Sequence, residues 1–473
     1  MRRLDWFFLG LLIILGTSLR FHTLDRQSLW DDEMSTRKDM YIPMSLWPAV
    51  FHVYEMHPPL YFLQLRGWQE VFGSSLKAQR ANSAFWGSLT LVLLFLLVRL
   101  SLGDAAGLMA LALLTVSPYH LAYSQEMRPY AMAIALAVLG FLMLEGYGRG
   151  WRFRGFWILL AGVFTAELYT HYWGSFVVLA QVLYGGTCLP SGRLQAPDAK
   201  VRRSVVGAGA AAVALFSLWL PMLLGQLNYI KDLSFWVPLA SPANLAKTFV
   251  AYSGLFFHHA SYAFLAPGPI GLHILLGLVM AVLIGISLRQ GPRAAWIWLG
   301  VGLGLPYLLS YATHGLYAWY RYPSLMYPAF IVLLASGLRG ISLRPARWAA
   351  TSLLLLMSSW SCYAYKTTWQ KANPKAVVAY VQSLKQPDTV IVRPFYFAPL
   401  FAYYNSGPTP VLDQGQLNSG EKRARLKGKN ILFIAFDAPN DPVREALLSE
   451  FTIVSSRYFP GYAHLGITVY QLH

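Results

Sequence analysis

Apolar runs of roughly 16 to 22 residues recur along most of this 473-residue chain, and they leave few folds open. As α-helices, runs of this length bridge or nearly bridge the hydrocarbon core of a bilayer. In hydrocarbon every backbone polar group must be satisfied within its own segment, so the repetition predicts a polytopic helical membrane protein. Composition agrees. The chain is 56% apolar and only 12% charged, with a mean hydropathy of +0.43, whereas a soluble domain carries roughly twice that charged fraction. The net charge of +17 raises nucleic acid as a partner. Most of that excess falls in short connections between apolar runs, where it sets orientation and meets anionic lipid, so no nucleic-acid partner is expected. The two cysteines, Cys188 and Cys362, are too few for a disulfide framework and read as packing residues.

Basic residues in short loops give the threading. Arg2 and Arg3 place the N-terminus inside, and the run Leu4 to Leu19, followed at once by Arg20 and by no small-residue cleavage site, reads as an uncleaved first span. That span delivers Asp31, Asp32 and Glu33 to the outer face. The segment Pro58 to Gly73 carries Arg66, Gln69 and Glu70, too polar for a span, and reads as an amphipathic helix at the outer interface. With that choice, Arg99, the Arg149–Arg154 cluster, Arg193 to Arg203, Arg289 with Arg293, and Arg339 to Arg347 all fall inside. Eleven spans are expected, with residues 1–364 forming the transmembrane domain. Beyond it, residues 365–473 change character: charge rises and long apolar runs stop. β-rich runs at Thr389 to Val392, Asn430 to Phe436 and Gly466 to Tyr470 alternate with helical patterns at Ala376 to Leu384 and Val443 to Phe451. They predict a small extracytoplasmic α/β domain.

The threading gathers Asp31, Asp32, Glu33, Lys38, His57, Glu126, Arg128, His171, His258, His259 and Arg321 on one side of the membrane. Ionisable groups beside a bilayer are costly to desolvate, so such a collection points to chemistry: carboxylates for proton transfer, arginines for an anion. His171, beside Tyr172 and Trp173 at a hairpin tip, reads instead as interfacial.

Several short pieces then carry a resemblance. They are Asp32-Glu33 after the first span, His57 to Phe62 (His-Pro-Pro-Leu-Tyr-Phe), Arg80 to Ser83 (Arg-x-x-Ser), Ser124 to Tyr130 (Ser-Gln-Glu-Met-Arg-Pro-Tyr), and Arg321-Tyr322-Pro323. In this order the chain resembles the GT-C class of membrane glycosyltransferases, and within it the family of protein O-mannosyltransferases and the lipid A aminoarabinose transferase. The resemblance covers roughly residues 1 to 340. It implies an all-α polytopic fold and an inverting transfer of a sugar from a polyprenyl-phosphate donor to a protein, lipid or glycan acceptor. The setting it implies is the outer face of a bacterial inner membrane. Asp32 is implied as the general base, with Asp31 the adjacent alternative and Glu33 beside it. Arg128, Tyr130 and Arg321 are implied as holders of the donor phosphate, with His57 and Lys38 as further site residues. Some relatives place a divalent cation beside the phosphate; Glu33, His57 and His258 or His259 are the side chains available for one. Where the aminoarabinose transferase pattern has Glu-Lys-Pro-Pro, this chain has Met56-His57-Pro58-Pro59, so that carboxylate and lysine do not transfer, and Glu55 stands one place out of register. Two other functions fit a polytopic protein of this kind. A ligase or polymerase of polyprenyl-linked glycans relies on a large outer loop late in the chain rather than an early Asp-Glu. A lipid-linked sugar transporter would show repeats and mid-membrane charges, and neither is evident.

Overall fold

A computed structural model of the chain describes residues 2–46, 51, 55–188, 198–231, 237, 240–254, 256–259, 262–265, 270–312, 316–367, 372–384, 387–393, 398–405, 411–412, 425–436, 442–460 and 466–473. These pack as two compact units. The first comprises residues 1–24, 39–257 and 265–364; the second comprises 25–38, 258–264 and 365–473.

The first unit is a helical bundle. Each of the eleven apolar segments is helical: Arg3–Phe21, Leu76–Leu102, Asp104–Thr115, Tyr130–Gly148, Phe156–Thr170, Gly174–Thr187, Ala199–Phe216, Ile270–Gln290, Arg293–Leu309, Tyr327–Gly340 and Arg344–Thr367. Fewer of them reach the length of a full span. Among the described residues five helices are long and apolar enough to cross a membrane, or up to six if one bent pair is a single span. The sequence windows merged helices with their flanking turns, and Phe156–Thr170, Gly174–Thr187 and Arg293–Leu309 fall short of that length. The polar segment expected at the interface forms its own helix, Leu60–Phe72.

Tyr130–Gly148 lies at the centre. Its sequence is apolar on every side and nearly all its residues are buried, because a helix with no polar stripe has no face to give to solvent. It packs on Leu76–Leu102 and Phe156–Thr170. Elsewhere Gly337 permits a close helix crossing, since a Cβ there would meet the Leu283 carbonyl oxygen at 2.2 Å.

One helix is broken. Asp104–Thr115 and Pro118–Ser124 meet at a 65° bend. Ser117 caps the second piece, its Oγ accepting from the His120 backbone N–H at 3.1 Å, and Pro118 sits at its first turn. A break strands the carbonyls of the first piece. The fully buried Arg20 guanidinium supplies donors: it reaches the Leu114 carbonyl at 2.9 Å, Gly16 at 2.8 Å and His120 Nδ1 at 2.8 Å.

The second unit holds a five-stranded sheet in the order Val411–Leu412, Thr389–Arg393, Ile431–Phe436, Ile467–Leu472, Ile453–Phe459. The first three strands are parallel and the last two pairs antiparallel. Thr389–Arg393 and Ile431–Phe436 are buried along their whole length. Helices on both faces explain why. Val377, Val378, Val381 and Phe401 pack on one face, with Leu447 and Phe451 on the other. The edge strand Ile453–Phe459 was not expected. It leaves Ile453, Val454 and Tyr458 exposed and so carries no inward-outward alternation.

Candidate active site

In the first unit, His57 precedes Pro58, which disfavours a helical backbone and sets the imidazole just ahead of the Leu60–Phe72 helix. Its Nδ1 lies 2.6 Å from Glu55 Oε1 and 3.0 Å from an Arg128 guanidinium nitrogen, while the other terminal nitrogen of Arg128 stands 3.8 Å from Glu55 Oε2. All three side chains are under 10% exposed, so their charges are held by one another rather than by water. The short contact to Glu55 has Nδ1–H donating to the carboxylate, which fixes the ring orientation. Gln226 secures the Glu55 backbone, donating to its carbonyl at 2.6 Å. Arg128 precedes the N-terminus of the central Tyr130–Gly148 helix, whose dipole adds to the positive potential.

Aromatic rings surround this cluster. His57 lies 5.1 Å from His171 and 6.3 Å from Tyr130 between ring centroids, and Tyr130 lies 5.5 Å from His171. His171 Nδ1 accepts the Trp173 backbone N–H at 3.0 Å, which assigns the proton of a neutral ring to Nε2. Nε2 is buried without a hydrogen-bond partner among the described residues. Burial, with His57 and Arg128 alongside, pushes the imidazole well below its ordinary value and keeps it neutral.

The ring cluster continues toward Arg321. Tyr123 lies 5.1 Å from Tyr130, and the hydroxyls of Tyr119 and Tyr123 both donate to the Tyr320 carbonyl, at 2.7 and 2.6 Å. Arg321 itself is buried, its guanidinium carbon 5.5 Å from the centre of the Tyr320 ring. Tyr322 closes the circuit, 5.5 Å from His171. His57 and Tyr130 therefore belong to one set of packed rings, with Arg128 bound to His57, while Arg321 stands over the neighbouring Tyr320 ring.

Other residues of the quoted motifs hold the frame. Arg80 is buried and donates to the Leu24 carbonyl at 2.7 Å. Gln125 donates to the carbonyls of Arg20 and His22 at 2.8 Å each, completing the end of the first helix.

In the second unit, Asp31, Asp32 and Glu33 form the first turn of the helix Asp31–Tyr41, where carboxylates complement the positive helix end. Glu33 is fully buried, Asp31 and Asp32 are half-buried and Lys38 is exposed. The side chains of His258 and His259 lie outside the described residues. Among the described residues no group of three His, Cys, Asp or Glu side chains is arranged to hold a metal ion. The His258 side chain of the expected donor set lies outside the described residues, and no chemical step below is routed through a cation.

Two residues were missed by the sequence reading. Glu55, set aside as out of register, contacts His57; its spacing of two residues before a His-Pro turn was the available signal. His171, taken as interfacial, is instead buried among the site rings.

The helical bundle, with a separate α/β unit, has the fold of a class: the polytopic GT-C glycosyltransferase fold. The chain superposes on ArnT from Cupriavidus metallidurans, both bound to undecaprenyl phosphate and in the apo state, with a TM-score of 0.56 in each case. The bound-state match is 12% identical and covers 99% of this chain and 98% of that one. Residues 56–223 match the family described as dolichyl-phosphate-mannose-protein mannosyltransferase. Galactan 5-O-arabinofuranosyltransferase of Mycobacterium tuberculosis is 41% identical over 112 residues, which are 22% of this chain and only 17% of that relative.

Proposed function

We propose that this protein is a membrane glycosyltransferase that moves a sugar from a polyprenyl-phosphate donor to an acceptor on the extracytoplasmic face, with inversion at the anomeric carbon. The observation that carries this reading is the buried Arg128–His57 pair inside the stretch that matches the mannosyltransferase family, with Glu55, one residue before that stretch, bound to His57. A desolvated guanidinium at a helix N-terminus, ringed by aromatic side chains, suits a phosphomonoester on a lipid. ArnT, whose fold this chain shares, binds undecaprenyl phosphate.

In this reading Arg128, Tyr130 and Arg321 hold the donor phosphate, and His57, kept in place by Glu55, lies beside it. Asp32 is the general base, with Glu33 next to it and Asp31 and Lys38 on the same helix. The acceptor oxygen forms its bond to the anomeric carbon as the bond from that carbon to the phosphate oxygen breaks. The acceptor proton passes to the Asp32 carboxylate, and the electron pair leaves on the phosphate, where the arginines stabilise the added charge. A carboxylate suffices as base because the sugar already carries positive charge when the proton is lost. Residues 1–364 act as the membrane catalytic domain in the bacterial inner membrane, and residues 365–473 lie on the extracytoplasmic side.

The test supplies labelled polyprenyl-phosphate sugars to the purified protein and to Asp32→Asn. Transfer by the variant should fall by about 100-fold or more. Full activity in Asp32→Asn would remove the base assignment.

A further inference from the structure

The stretch from Arg26 to Lys38 packs in the same compact unit as the C-terminal α/β domain, although 341 to 375 residues of chain separate the bonded partners. An Arg26 guanidinium nitrogen donates to the Thr367 carbonyl at 2.8 Å, and the Ser28 hydroxyl lies 3.4 Å from Asn373 Oδ1. The Leu29 backbone N–H donates to the Tyr404 hydroxyl at 2.9 Å, two residues before Asp31. The Arg37 guanidinium lies 4.9 Å over the Tyr403 ring, four residues after Glu33. The carboxylates are therefore bracketed by adjacent tyrosines.

Those tyrosines stand on rigid ground. They end the helix Ala398–Tyr404, whose Phe401 is part of the core beneath the sheet, and their rings meet edge to face at 4.8 Å. Asn373 caps the helix Pro374–Ser383, accepting from the Ala376 N–H at 3.1 Å, and that helix is pinned to the same core by Val377, Val378 and Val381. The acidic helix is weak by its own local sequence. It is 11 residues long, polar, and crowded with three like charges in one turn; isolated helices of this length are marginal in water. Tertiary contacts therefore hold it, and those to Tyr404 and Tyr403 flank its carboxylates.

We propose that the C-terminal domain is a positioning device for the carboxylate helix, and that Tyr404 and Tyr403 are positioning residues that hold Asp32 and Glu33 in place for the transfer step. The proposal rests on the assignment of Asp32 as base. A base displaced by about 1 Å can lose on the order of a hundredfold in rate while the substrate still binds, so the signature is a fall in kcat without a change in donor affinity.

The test uses the full-length protein and Tyr404→Phe, which removes the acceptor for the Leu29 N–H and keeps the ring. Hydrogen exchange across residues 29–38 should speed up while the sheet stays protected. kcat should fall by about tenfold, with KM for the donor and Kd for undecaprenyl phosphate unchanged. Tyr403→Leu should behave in the same way, and Tyr403→Phe, which restores a ring under Arg37, should recover both exchange and kcat. Unchanged exchange at 29–38, faster exchange with kcat intact, or loss of protection throughout the sheet would each overturn the proposal. An active Asp32→Asn variant would sink the base assignment alone, leaving the exchange result to judge the clamp.

Discussion

His171 shows how one side chain takes its chemical state from its surroundings. Its Nδ1 is occupied by a backbone N–H, its ring is buried, and His57 and Arg128 stand near enough to oppose a further positive charge. The folded protein therefore resists protonating it, whereas in the unfolded chain it takes up a proton as the pH falls through about 6.5. Below that point the unfolded state binds more protons than the folded one. The stability linked to His171 is full above about pH 6.5 and declines as the pH falls from there toward the depressed folded value. The measurement is the melting temperature of the detergent-purified protein across this acid range, where His171→Gln should show a shallower decline than wild type. Parallel curves would mean that other groups set the slope. At this scale the sequence was partly legible: it singled out His57, Arg128 and Tyr130, which the fold brings near one another, but the neutral state of His171 and its contact with His57 depend on packing that no local pattern records.

Among the elements, the broken helix is the clearest case of a polar residue placed for architecture. Arg20 reads in sequence as the basic end of the first span. In the fold it turns inward and supplies donors to the Leu114 and Thr115 carbonyls beside the 65° break. Arg20→Met should destabilise the bundle by about 1–3 kcal/mol for the buried carbonyl left unsatisfied, seen as a lower melting temperature in detergent. Arg20→Lys should recover little, because an ammonium lacks the planar spread of donors needed to reach Gly16, Leu114 and His120 together. A melting temperature equal to wild type in Arg20→Met would remove this role. Element boundaries followed the sequence where one rule dominates. Continuous apolar runs gave the buried strands Thr389–Arg393 and Ile431–Phe436. The rule failed at Ile453–Phe459, where an edge strand leaves apolar residues in the open.

For the whole molecule, the consequence of the charge threading is an orientation. Both native cysteines are buried and should not react, so single engineered thiols can report sidedness. Lys429→Cys, at an exposed position in the C-terminal unit, should label with a membrane-impermeant maleimide in intact cells. Arg203→Cys, exposed near the start of the Ala199–Phe216 helix, should label only after permeabilisation. The reverse pattern would invert the topology and put the proposed site on the cytoplasmic side.

Hydropathy and charge are properties of short stretches, and from them the chain alone determined a multi-helix membrane domain, an α/β tail and the residue types available for the proposed transfer. Tertiary structure decided which of those residues meet. It joined Arg128 to His57 across 71 positions and brought Tyr404 to the backbone at Leu29 across 375. Contacts at such separations are fixed by how helices and sheets pack, and periodicity within one segment carries no information about its neighbour in space.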